Sequence, residues 1–303
     1  MKDEQNSKSG FVAVLGRPNV GKSTLVNSLI GQKIAAVTPR PQTTRKRQMG
    51  ILTIHRDDCA VQAVFIDTPG IHNPKHKLGE RMNEEAAQTL GECDVILLVV
   101  DASLALQAED QMLVDLLHRI KSHKPMILVL NKIDLIEHDI LDQNTQTFTK
   151  ALPEALPIQV SALDGKNLET LLDALLKIIP SGAPFFPEDQ TTDLFERDLA
   201  ADLIRAAALN LLRDEVPHGI AIRIDQYLER EDQGAYIEAT IFLERESHKP
   251  IVIGKRGSML KKIGTAAREE IEAMSGRKVF LQLNVKIRKN WRDDEKVLRQ
   301  FGY

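Results

Sequence analysis

The sequence predicts an α/β domain built on a doubly wound, mostly parallel sheet, followed by a small α+β domain. Three observations predict it. Apolar runs bounded by turn residues alternate with helical spacings as far as Val160, the mark of strands covered on both faces. The stretch PSGAPFFPEDQTTD (180–193) holds three prolines and no periodicity, so it breaks the chain. Beyond it the order changes to helix, strand, strand, helix, helix, strand. A length of 303 residues accommodates two such domains.

The elements follow in order. FVAVL (11–15) is a buried strand, and Leu25, Val26, Leu29 and Ile30 form one face of the helix after it. The stretch from Arg47 to Ile66 has a polar HRDD at its centre and no helical period, which predicts an antiparallel hairpin. AVFI (63–66), VILLVV (95–100), MILVL (126–130) and IQV (158–160) supply further strands. Between two of them, Met112, Leu113, Leu116, Leu117 and Ile120 mark a helix face. The first domain is placed at 11–180, after a flexible tail at 1–10, and 181–193 is a linker. The second domain is placed at 194–292, with 293–303 as a C-terminal tail. It opens with a helix at about 194–215. Strands HGIAIRIDQYL and AYIEATIFL follow, separated by EREDQG. PIVIGKRG then leads to a helix with Leu260, Ile263, Ala267, Ile271 and Met274 on its apolar face. In the last strand Val279, Leu281, Leu283, Val285 and Ile287 alternate onto one side.

Composition excludes several classes. Hydrophobic residues at 43% and charged residues at 27% are near globular averages, which excludes a disordered or collagenous chain. Cys59 and Cys93 are too few for a disulfide scaffold and lack metal-ligand spacing, so buried thiols in a reducing cytosol are expected. The longest apolar run, Val95 to Val100, is too short to cross a bilayer, and the polar start MKDEQNSKSG lacks the apolar segment of a signal peptide. The net charge of −3 conceals an asymmetry. From Lys249 to Arg292 there are 12 basic residues and 3 acidic ones, the footprint of a polyanion-binding surface, unless neighbouring acids balance it.

Gly16-Arg-Pro-Asn-Val-Gly21-Lys22-Ser23 matches GxxxxGK[ST] directly after a strand and opens a helix. Its backbone N–H groups and the helix N-terminus suit phosphate oxygens. Lys22 can reach the β- and γ-phosphates, and the Ser23 hydroxyl can ligate Mg²⁺, with Thr24 beside it. Three more segments sit at strand ends, where open α/β sheets bind ligands. In Asp67-Thr-Pro-Gly70 the carboxylate can hold Mg²⁺ and the Gly70 amide can meet a γ-phosphate. In Asn131-Lys132-Ile-Asp134 the last carboxylate can accept two hydrogen bonds from guanine, a pattern adenine does not offer. In Ser161-Ala162-Leu163 a backbone N–H can reach the guanine carbonyl.

These four segments resemble those of translation-factor-class GTPases. Together with Pro41-Gln-Thr-Thr-Arg45 and the C-terminal domain, they resemble the Era family of bacterial GTPases over about Gly10 to Arg292. The resemblance implies a P-loop GTPase domain followed by a type II KH domain, with GTP/GDP, Mg²⁺ and K⁺ as cofactors. It implies that Gln42 to Lys46 is the first switch, in which Thr44 or Thr43 completes the Mg²⁺ shell, although TRKRQ also reads as a basic loop. Asn19 would help hold K⁺, or else serves a tight turn. Lys22, Asn19, Thr44 and Gly70 are the candidate catalytic set. Ile71 stands where Ras-type proteins carry a water-orienting glutamine, so slow intrinsic hydrolysis is expected.

Ile251-Val-Ile-Gly254-Lys255-Arg256-Gly257 carries the GxxG of a KH domain, whose loop clamps about four nucleotides of single strand. Ile253, Gly254, Lys255, Arg256, Gly257, Lys261 and Lys262 are the RNA-binding candidates, and Arg268 extends the basic stripe. The implied partners are the 3′ end of 16S rRNA and the small (30S) ribosomal subunit. The implied protein is a monomer in the cytoplasm, in peripheral contact with the inner face of the membrane. Two other functions fit parts of the pattern: an RNA-binding protein with a vestigial nucleotide site, and another ribosome- or tRNA-associated GTPase.

Overall fold

The computed structural model describes residues 7–56, 59–120, 123–213, 216–229 and 234–303. Most of EREDQG, the two aspartates of HRDD, residues 1–6 and the expected end of the helix at 214–215 lie outside them. The chain divides into two units, 1–35 with 44–73 and 82–193, and 36–43 with 74–81 and 194–303.

The first unit carries strands β1 (Ser7–Leu15), β2 (Gln48–Arg56), β3 (Cys59–Asp67), β4 (Val95–Asp101), β5 (Met126–Asn131) and β6 (Leu156–Gln159). Their order is β2-β3-β1-β4-β5-β6. All neighbours are parallel except the β2/β3 hairpin. Helices α1 (Lys22–Ile30), α2 (Lys77–Glu92), whose residues 77–81 group with the second unit, α3 (Ala108–Ile120) and α4 (His138–Ala151) lie between strands, and α5 (Leu168–Ile178) follows β6. Successive strand residues feed opposite cores. Val12, Val14, Leu97 and Val129 pack with α1 and α5 residues such as Leu25 and Leu175, whereas Ala13, Leu15, Leu98 and Leu128 pack with Leu113, Leu117 and Phe148 of α3 and α4. Two buried faces explain why the strands read as continuous apolar runs.

Three details differ from the sequence expectation. In α3 the buried stripe is Leu113, Val114 and Leu117, while Met112 and Ile120 are 38% and 46% exposed, because Val114 at i+1 closes the stripe that Met112 was expected to begin. β1 starts at Ser7, inside the expected tail. The proline-rich stretch is strapped to the first unit. Ser7 and Ser9 hydroxyls donate to Gly182 and Ala183 carbonyls at 3.0 and 2.6 Å. The buried Gln62 accepts from the Phe185 and Phe186 amides at 2.8 and 3.0 Å, and Ile51 N–H donates to Thr191 at 2.8 Å. These bonds satisfy backbone groups that would otherwise need water.

The second unit contains α6 (Glu196–Leu211), β7 (Ile220–Glu229), β8 (Gly234–Leu243), α7 (Lys249–Ile253), α8 (Ser258–Ser275), β9 (Lys278–Ile287) and α9 (Glu295–Gln300). The sheet runs β7-β8-β9, with β7/β8 antiparallel and β8/β9 parallel. Leu203, Ala207, Ile237, Ile241, Ile263 and Ile271 form its core, against which Leu281, Leu283, Val285 and Ile287 pack. Segment 36–43 belongs to this unit: Ala36 joins the core, and the buried Arg205 guanidinium donates to the carbonyls of Gln42, at 3.0 Å, and Thr43. The expected C-terminal tail is folded. Trp291 is fully buried and donates to Gly219 O at 2.9 Å, and Asp294 caps α9 by accepting from the Lys296 and Val297 amides. No described helix is long and apolar enough to cross a membrane.

Candidate functional site

The nucleotide-site residues gather at the C-terminal edge of the first sheet. Lys22 begins α1, and its ammonium donates to the carbonyls of Gly16 and Arg17 at 3.1 and 3.0 Å. The loop is thus wound around the charge. Burial pushes the Lys22 pKa down to about 8, with Asp67 opposing the shift and Arg17 reinforcing it. Burial also pushes Asp67 up, against Lys22, Ser23 and Thr44. A phosphate beside Lys22 favours its charged form. GDP binding at about pH 8.5 is therefore expected to take up a proton at Lys22, and affinity to fall as pH rises through 8. Calorimetry in two buffers of different ionisation enthalpy reads the uptake, and a buffer-independent heat at that pH would contradict the assignment.

Asp67 ends β3 with its side chain fully buried. Its Oδ2 accepts from Ser23 Oγ at 2.5 Å and Thr44 Oγ1 at 3.4 Å, and the two hydroxyls are 2.9 Å apart. Its Oδ1 is buried without a hydrogen-bond partner. An orphaned carboxylate oxygen beside two hydroxyls is a set of hard donors that fits Mg²⁺. Thr43 is held elsewhere, its hydroxyl bonded to Thr38 Oγ1 at 2.7 Å and Arg40 O at 2.8 Å. Thr44, and not Thr43, is therefore the threonine beside Ser23 and Asp67. Thr24 follows on α1, half-buried. Asn19 is exposed in a left-handed conformation, φ 65°, the backbone of a tight turn.

The Gly70 backbone abuts the loop after β1 so closely that an added Cβ would lie 2.6 Å from Pro18 N. Ile71 turns into the core, 6% exposed, and its N–H donates to Gly16 O at 3.3 Å. It does not face the phosphate side. His72 Nδ1 bonds Gly70 O at 2.9 Å, and Asn83 ties both backbone groups of His72. Nothing in the spacing of the sequence marked His72 or Asn83.

On the base side, Asn131 is an architectural residue. Its Nδ2 donates to Val20 O at 2.8 Å and its Oδ1 accepts from Ala162 N at 2.9 Å, so it joins the phosphate loop to the SAL turn. Without a nucleotide, the Ala162 amide is spent on this brace. Ser161 N–H is spent on Lys166 O and Asp164 N–H on Ser161 Oγ, which leaves Leu163 N–H facing no partner within the turn. Asp134 lies in the 3₁₀ turn Ile133–Leu135 with its side chain exposed. Lys132 precedes it in a left-handed conformation, φ 68°.

In the second unit, α7 ends at Gly254 and α8 begins after Gly257. Beside this loop lies a groove of about 470 Å³ lined by Gly257, Leu260, Lys261, Gly264, Thr265, Arg268, Leu281 and Leu283. Lys255, Arg256, Lys261 and Lys262 are exposed. Of the RNA candidates only Gly257 and Lys261 line the groove, while Ile253 and Lys262 do not. Gly264, Thr265 and Leu281 were missed. For Gly264 and Thr265 the signal was present: 257, 260, 261, 264, 265 and 268 share one helical face, and a Cβ at Gly264 would lie in contact with Leu283, 3.4 Å away.

Comparison with known proteins bears on both units. Residues 11–132 match the family model of the 50S ribosome-binding GTPase, and residues 215–292 match that of the KH domain. The chain is similar to GTPase Era of Caldicellulosiruptor saccharolyticus, 46% identical over 298 residues, covering 98% of this chain and 97% of the relative. It is equally similar to GTPase Era of Ruminiclostridium cellulolyticum, 46% identical over 296 residues, with the same coverage. A solved structure of an Aquifex aeolicus Era variant bound to GDP·AlF₄⁻ matches with a TM-score of 0.91 at 41% identity, covering 98% of this chain and 99% of that one. An Era structure in complex with MgGDPNP and nucleotides 1506–1542 of 16S ribosomal RNA matches with a TM-score of 0.91 at 40% identity and the same coverage.

Proposed function

The chain belongs to the Era family of GTPases, and from that premise we propose that it is a GTP-hydrolysing switch that binds the 3′ end of 16S rRNA and assists assembly of the small (30S) ribosomal subunit. One observation carries the proposal. The same chain joins a phosphate loop with a hydroxyl–carboxylate metal set, Ser23, Thr44 and Asp67, to a GxxG loop opening on a basic groove.

In this reading Lys22 leaves the Gly16 and Arg17 carbonyls for the β- and γ-phosphates, Gly70 N–H meets the γ-phosphate, and Asp134 selects guanine. A backbone N–H of Ser161-Ala162-Leu163 donates to the guanine carbonyl. Ser23, Thr44 and Asp67 would hold Mg²⁺, directly or through water, and it would neutralise phosphate charge there. With Ile71 buried, no side chain at that position orients water. We assign charge compensation to K⁺ held with the help of Asn19. Cytoplasmic location, a monomeric state and peripheral contact with the inner membrane face rest on the family alone.

A turnover assay tests the proposal. GTP and not ATP should be hydrolysed, faster in KCl than in NaCl at equal ionic strength, and RNA from the 3′ end of 16S rRNA should change the rate. Asn19→Ala should remove only the potassium effect. Equal use of ATP and GTP would refute the nucleotide assignment, equal rates in both salts would refute the potassium assignment, and indifference to the RNA would refute the coupled switch.

A further inference from the structure

A buried carboxylate at the end of β4 has no role in the reading so far. Asp101 is 5% exposed and is paired in register with Asn131 at the end of β5. Its Oδ1 accepts from Ser103 N at 3.1 Å and Ser103 Oγ at 2.6 Å. Its Oδ2 accepts from Lys132 Nζ at 2.7 Å. Arg17 is a more distant neighbour, with Nη2 at 3.8 Å, and its Nε goes to Asp110 at 3.3 Å. Burial would raise the pKa of Asp101, but the bonds from Lys132 and Ser103 outweigh it and hold the carboxyl below its ordinary value. The group is charged whenever the site is in use.

The consequence lies in the Lys132 stem. Its backbone is set by the left-handed φ of 68°, an unfavourable conformation for a residue with a Cβ. Its ammonium is anchored on the neighbouring strand. A flexible four-carbon chain fixed at both ends is a rod lying across the strand ends, two residues before Asp134. An untethered lysine there would sample many rotamers, and ordering it would oppose ligand binding.

We infer that Asp101 is a positioning residue for the guanine base: by tethering the Lys132 ammonium it holds the lysine stem as a preformed apolar shelf on the base side of the site. This rests on the reading of Asn131 to Asp134 as the base-side loop. Asp110, which holds Arg17, has no part in it.

Lys132→Met keeps an unbranched apolar stem and removes only the anchored charge, at a half-buried position where folding is not at stake. Asp101→Asn removes the anchor while keeping the shape of the side chain and its acceptor for Ser103. Each is expected to weaken GDP about tenfold, and the double variant to be no weaker than either single one, because both delete one shared interaction. Binding of inorganic tripolyphosphate, which has no base, should stay unchanged in all three. Unchanged GDP affinity in Lys132→Met, or additive losses in the double variant, would overturn the tether. Equal loss of tripolyphosphate binding would also overturn it, by placing the action of Asp101 on the phosphate loop. Failure of the underlying base-side reading shows separately, as unchanged GDP affinity in Asp134→Asn.

Discussion

Asp134→Asn is expected to weaken GTP and GDP binding by roughly 10⁴-fold and to create affinity for xanthine nucleotides. A carboxylate offers acceptors to both N1–H and the exocyclic amine of guanine. An asparagine in the same rotamer turns one contact into donor against donor. Xanthine carries a carbonyl where guanine carries the amine, so it suits the amide and repels the carboxylate. The magnitude follows from burial on binding. Asp134 is exposed without ligand and loses its water to the base, so a mismatched partner leaves a desolvated polar pair unsatisfied. Fluorescent nucleotide titration measures both affinities. Undiminished GTP binding by the variant would sink the assignment of Asp134, and so would equal affinity of the unmodified protein for ATP and GTP.

Replacing Gly254 and Gly257 together with aspartate is expected to abolish binding to the 3′ segment of 16S rRNA, a loss of about 100-fold or more. GTP affinity measured without RNA should not change. The two positions fail for different reasons. Gly254 has φ 72° and ψ 172°, a region open essentially to glycine alone, and a Cβ there would lie 2.7 Å from Met259 N. Gly257 has φ 79°, and its Cβ would meet nothing within 4 Å, so aspartate there acts through backbone preference and charge. Gly257→Ala should thus retain more binding than Gly257→Asp. Neutralising Lys255 and Arg256 should lower the salt slope by about one for each lost phosphate contact. Filter binding across a salt series reads all of these, and a double aspartate variant that binds RNA normally would remove the GxxG loop from the interface.

Much of the nucleotide site was legible because its chemistry is local. A phosphate loop needs glycines, a lysine and a hydroxyl at fixed offsets beside a strand and a helix. Asp67 and Asp134 each follow an apolar run that announces a strand end. The RNA groove was half legible. GxxG is a contiguous signal, but Leu281 and Leu283 lie on β9, opposite α8, and alternation alone assigned them to the core.

The sequence by itself determined which residues carry charge, which positions must be glycine, where strands end and how the elements are ordered, because these depend on neighbours within a turn or a strand. Only the tertiary structure placed Thr44, and not Thr43, beside Ser23 and Asp67, which α1 and β3 bring together. It showed Asn131 bracing Val20 against Ala162. It also turned the proline-rich stretch into a strap on Gln62 and Ile51, and the expected tail into the seat of the buried Trp291. Each of these outcomes follows from hydrogen bonds and packing between segments far apart in sequence. A polar or aromatic side chain does not reveal its partner until the fold brings that partner within reach.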